Sequence, residues 1–131
     1  MTQKPLTTLT LDNQLTLNLF DASRKIAGDR WRVEIVLQID IPVSGTWFGA
    51  NPLPAPLAEV KETLGETVRF EYRDRRAFVD AGDKDALLAK MQADLLAMAP
   101  RYYGHPDFAA RYITKTFVKE RHKSAYRYGG R

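Results

Sequence analysis

Cysteine is absent from this 131-residue chain. Its absence excludes a disulfide framework, thiolate-ligated zinc, iron–sulfur clusters and cysteine nucleophiles. Histidine occurs only twice, as His105 and His122, so one chain cannot supply a three-histidine zinc site. The sequence contains no Gly-x-Gly-x-x-Gly, no Gly-Lys-Ser/Thr loop, no Gly-x-Ser-x-Gly elbow and no His-Glu-x-x-His. The common nucleotide-binding, hydrolase and metalloprotease signatures are therefore missing. Long hydrophobic runs are missing too: polar or charged residues interrupt the apolar positions every few steps, far short of the roughly 20 residues a membrane span needs. Residues 1–8 hold one lysine and no apolar stretch, so no secretory leader and a cytoplasmic setting are expected. No cofactor and no metal are expected.

What the chain does have is enough apolar content, 44% of residues, for one small soluble domain spanning 1–131, with neither repeats nor low-complexity tracts. Residues 1–43 read as strands. Leu9 and Leu11 alternate with threonines, Leu15, Leu17 and Leu19 alternate with Thr16 and Asn18, and Asp12-Asn13 between them suits a tight hairpin turn. Trp31, Val33, Ile35, Leu37, Ile39 and Ile41 fall on one face of a long strand, with Arg30, Arg32, Glu34, Gln38 and Asp40 on the other. This pattern predicts an antiparallel sheet covered on one side and wet on the other. Residues 44–56, rich in Pro and Gly, read as a loop. Residues 57–80 read as a short helix and then a second hairpin turning near Asp74-Arg75.

Asp83 suits the cap of a helix over 83–99, in which Leu87, Leu88, Met91, Leu95 and Met98 share an arc. Pro100 and Gly104 are expected to break the chain before a last helix over 106–127. The fold expected is α+β: a mostly antiparallel sheet of about five strands with two C-terminal helices packed on one face.

Charge is distributed unevenly. Residues 1–100 carry 12 basic and 14 acidic side chains, whereas residues 101–131 carry 8 basic and 2 acidic. On a helical projection Arg111, Lys115, Lys119, His122 and Lys123 share an arc of roughly 120°, together with Phe108, Tyr112 and Tyr126. Ala109, Ala110, Ile113, Phe117 and Val118 take the opposite side. Cations interleaved with rings suit a polyanion, because ammonium groups neutralise phosphates while rings stack on bases. The expected role is a non-enzymatic binding module. Its polyanion-binding residues would be Arg111, Tyr112, Lys115, Lys119, His122, Lys123 and Tyr126, and its partner nucleic acid or an acidic protein.

Two further segments offer alternatives. Trp47-Phe48, flanked by Gly and Pro, either tucks onto the core or serves as the interface of a homo-oligomeric assembly protein. The loop Asp21–Arg30 gathers Asp21, Ser23, Arg24, Lys25, Asp29 and Arg30. These residues could clamp an anion, or with His105 or His122 form a small enzyme site. The plainer reading of the same loop has Asp21 and Ser23 bonding local backbone, Ile26 in the core and Gly28 in a special dihedral. Arg73, Arg75 and Arg76 read as decoration of a hairpin tip. No catalytic residue is assigned.

Overall fold

The computed structural model describes residues 3–129, and side chains as far as residue 123. The described residues form five strands: β1 (Lys4–Thr10), β2 (Thr16–Asp21), β3 (Arg24–Ala27), β4 (Arg30–Pro42) and β5 (Thr67–Asp80). Three α-helices follow from the longer-period segments: α1 (Leu57–Leu64), α2 (Lys84–Tyr102) and α3 (Phe108–Gly129). All strand pairings are antiparallel. The fold is the expected α+β arrangement.

β4 is the spine of the sheet. β5 runs along one of its edges from Arg30 opposite Asp80 to Pro42 opposite Thr67. The other edge is shared: β2 sets Leu17 opposite Ile39 and Asp21 opposite Ile35, and β3 sets Arg24 opposite Arg32. β1 then pairs with β2. On the helix side of β4, Val33, Ile35, Leu37, Ile39 and Ile41 are fully buried and form one core with Met91, Leu95 and Ala99 of α2 and Ala109, Ile113 and Phe117 of α3. Each fully buried aliphatic side chain contributes on the order of 1.5–3 kcal/mol, so this row accounts for the helices lying on that face.

Several local expectations are corrected. Residues 67–80 form one continuous strand rather than a hairpin, because Asp74, Arg75 and Arg76 each find a partner position on β4, opposite Ile35, Glu34 and Val33. Near its end Ala77 and Phe78 both stand against Arg32, a bulge in which Phe78 takes φ 58°. In the first hairpin the left-handed residue is Gln14, φ 74°, not Asp12 or Asn13. Asn13 instead accepts from the Leu15 amide and donates to the Tyr103 carbonyl at 2.9 Å, tying the turn to the end of α2.

The helix boundaries also differ from expectation. Pro100 does not break α2 but sits in its last turn, the helix continuing to Tyr102. The Asp83 carboxylate makes no capping bond. The chain reverses at Gly104, whose amide donates to the Ala99 carbonyl at 3.0 Å. A Cβ at Gly104 would lie 2.7 Å from the Pro100 carbonyl oxygen, so only glycine fits that reversal. Pro56 is the N-cap of α1 rather than its first residue.

Candidate functional site

The basic surface of α3 is built on its opposite side. Ala109, Ala110, Ile113 and Phe117 are buried, which fixes the rotation of the helix and turns Arg111, Lys115, Lys119, His122 and Lys123 into solvent. Arg111 pairs with Asp107 at 3.6 Å and Lys123 with Glu120 at 3.6 Å, both within the helix or its first turn. Pairs this exposed are worth little and are screened by salt. Lys115, Lys119 and His122 make no ion pair among the described residues. Beside the start of the row a cavity of about 360 Å³ is lined by Phe48, Asn51, Asp107, Arg111, Thr114 and Lys115.

The rings do not join that wet ridge. Phe108 is buried, and Tyr112 is half-buried with its hydroxyl donating to the Arg69 carbonyl at 3.3 Å. Both pack edge-on against Phe70 of β5, with centroids 5.3 and 5.2 Å away, and Tyr103 completes the cluster at 5.4 Å from Phe108. A projection of one helix cannot reveal this, because it is β5 and the end of α2 that cover the first turns of α3 on a second side. Burial pushes the Tyr103 hydroxyl up to about 12, with Tyr102 and Tyr72 adding to the shift. Val118, placed on the buried side by periodicity, is 55% exposed. The side chain of Tyr126 lies outside the described residues.

The loop Asp21–Arg30 is resolved into parts. Asp21 accepts from the Ser23 amide at 2.9 Å, a local backbone contact, whereas Ser23 Oγ accepts from the Glu34 amide at 3.0 Å and ties the chain after β2 to β4. Gly28 takes φ 55° in the turn between β3 and β4. Ile26 is not in the core: it is 45% exposed. Arg30 pairs with Asp80 across the sheet and lies 4.0 Å from Asp29. Arg24 and Lys25 are exposed on β3. Asp21 and Ser23 line a recess of about 90 Å³ with Lys4, Trp31, Lys84 and Asp85, and neither histidine lines it. His105 Nδ1 accepts from the Asp107 amide at 3.0 Å, a turn contact. Among the described residues no group of three or more His, Asp or Glu is placed to hold a metal ion.

Trp47 and Phe48 fold back. Phe48 is buried, and Trp47 donates from Nε1 to the Pro42 carbonyl at 2.7 Å while its ring packs on the core. Of the two readings of this segment, the one in which the rings tuck onto the core describes their placement.

A second charged constellation was missed from the sequence. Glu34 faces away from the helices, where alternation predicts solvent, yet it is 1% exposed. Its carboxylate is enclosed by Arg32 Nη2 at 3.2 Å, Arg73 Nη1 at 2.9 Å and Arg75 Nε at 3.1 Å. Burial alone would raise its pKa. The hydrogen bonds from Arg73 and Arg75, with the charges of Arg75 and Arg32, outweigh burial and hold the carboxyl below the usual range. The available signal was Arg73-x-Arg75 on a strand and Arg32-x-Glu34 on another, but no local rule pairs those strands.

Comparison with protein-family models, curated proteins and solved structures finds no match. The fold defines the class α+β with an antiparallel sheet, and no helix among the described residues is long and apolar enough to cross a membrane.

Proposed function

We propose that the domain is a non-enzymatic binding module that docks on nucleic-acid phosphates through the exposed row of α3. The observation that supports this reading is the pair Lys115 and Lys119, exposed, in line with Arg111 and Lys123, and free of carboxylate partners among the described residues. Cations at i, i+4, i+8 and i+12 on a rigid helix suit a regularly repeating anion better than the irregular acidic patch of a folded protein. With Phe108 and Tyr112 packed against Phe70, these rings are not free to stack on bases. Recognition by the described residues then rests on charge, and duplex and single-stranded nucleic acid bind alike. Fluorescence anisotropy with labelled duplex and single-stranded oligonucleotides tests this. Affinities within about threefold of each other support the proposal, and a strong preference for the single strand contradicts it. A cytoplasmic setting belongs to the same proposal and is checked by cell fractionation.

A further inference from the structure

The cluster around Glu34 holds more cations than its carboxylates need. Three guanidiniums converge on one buried carboxylate, and among the described residues only Arg73 has a second acidic partner, donating from Nε to Glu71 at 2.7 Å. A single arginine in good geometry would satisfy Glu34, since guanidinium and carboxylate match two bonds to two oxygens. Arg24 adds a fourth guanidinium: it stands directly opposite Arg32 in the β3–β4 ladder, with no ion pair among the described residues. Like charges facing each other across a ladder oppose strand pairing. Arg32 also keeps its Nε buried and without a hydrogen-bond partner, a donor whose desolvation is uncompensated.

Counting Arg24, Arg32, Arg73 and Arg75 against Glu34 and Glu71 leaves two positive charges on one patch of the open sheet face. The patch is rigid. β4 and β5 are paired along their length, and Glu34 holds the guanidiniums of Arg32, Arg73 and Arg75 from beneath, so little ordering of these three remains to be done on binding. Arginine forks match the planar oxygen pairs of a phosphate, and a phosphomonoester brings close to two negative charges and three acceptor oxygens at neutral pH.

We propose that Arg24, Arg32, Arg73 and Arg75, gathered over Glu34 on the open face of the sheet, form a binding site for a phosphomonoester dianion. Glu34 acts as a positioning residue, setting the guanidiniums rather than touching the ligand. The site is separate from the α3 row, because β4 side chains alternate: those facing α3 are the odd-numbered ones, and Arg32 and Glu34 face away. It does not depend on nucleic-acid binding.

The test is an NMR titration of the arginine Nε–H resonances with inorganic phosphate, against chloride at matched ionic strength. Saturable shifts at Arg32 and Arg75 are expected with a midpoint in the millimolar range. Arg24→Ala with Arg75→Ala should weaken binding at least tenfold, whereas Lys115→Glu with Lys119→Glu should leave it unchanged. Arg24 and Arg75 are both exposed, and Arg32 and Arg73 still hold Glu34 without them, so the fold should survive at a lowered thermal midpoint, as a cooperative melt would confirm. Arg75→Lys keeps the charge but loses the fork, and a several-fold weakening is expected there as well. Shifts that do not saturate, that persist in the double alanine variant, or that vanish only when Lys115 and Lys119 are reversed would overturn the proposal.

Discussion

Arg73 Nη1 donates to Glu34 Oε2 at 2.9 Å across the β4–β5 seam, and the carboxylate it reaches is 1% exposed on the face of the sheet turned away from the helices. Glu34 is therefore covered by arginines rather than by a layer of apolar side chains. Its neighbour on that face, Val36, is fully buried between Phe20 and Arg73 on the adjacent strands. The arginine stems form a thin second layer over this part of the sheet.

Removing the shared anion should expose that dependence. Glu34→Ala leaves Arg32 and Arg75 without their carboxylate, and because the guanidiniums are partly solvated the loss should be about 1–3 kcal/mol rather than the larger cost of a fully buried pair. Glu34→Gln, which retains one acceptor and the shape, should lose less. Urea denaturation measures both. A neutral Glu34→Ala would mean that the arginines pack equally well without their partner.

Acid should act through the same group. The Glu34 carboxyl is held low by hydrogen bonds and charge working against burial, Asp40 by the hydrogen bonds it accepts from Arg69 and Glu71 by hydrogen bonds from Arg73 and Gln38. All three are depressed, so their contribution is complete above the unfolded values of about 4 and is lost as pH falls through the lower folded values. Stability should be flat from about pH 5 to 8 and decline below about pH 4.5. Asp40 is half-exposed and its pair is screened by salt; Glu34 should dominate. Thermal unfolding against pH should show a shallower acid limb in Glu34→Gln. An identical limb in both proteins would remove Glu34 from the explanation.

Tyr112 separates packing from binding. Its ring lies 5.2 Å from Phe70 and its hydroxyl reaches the Arg69 carbonyl. Tyr112→Ala should cost about 2 kcal/mol of stability while leaving the oligonucleotide affinity of the folded protein unchanged. A large loss of affinity at unchanged stability would return the ring to the ligand.

Gly104 carries the turn between α2 and α3. Gly104→Ala should cost on the order of 1–3 kcal/mol, because the added methyl meets backbone rather than a movable side chain. Chemical denaturation checks this, and wild-type stability would mean that the turn relaxes freely.

The parts of the fold legible in the sequence were those that depend on one segment's own period. The alternation from Trp31 to Ile41 needs no knowledge of neighbours, and neither does the burial of Ile113 and Phe117 on α3. What escaped depended on pairing between segments distant in the chain. Asp74-Arg75-Arg76 has the composition of a turn, and it is the β4 positions across the ladder, with Glu34 opposite Arg75, that hold it as a strand. β3 is short and exposed throughout, so no buried face marked it. Phe108 and Tyr112 fall in the cationic arc of their own helix but are claimed by Phe70, about forty residues earlier. The same gap hid the arginine cluster, whose members come from β3, β4 and β5.

The central claim is that the α3 row meets phosphates by charge. The most direct measurement is the dissociation constant for a labelled duplex oligonucleotide, followed by anisotropy as salt is raised. Four cations, Arg111, Lys115, Lys119 and Lys123, predict a slope of log affinity against log salt of about −3 to −4. Lys115→Glu with Lys119→Glu should lower affinity at least tenfold at low salt and flatten that slope by about 2. Absence of binding at low salt, or binding that the double charge reversal leaves untouched, would contradict the account.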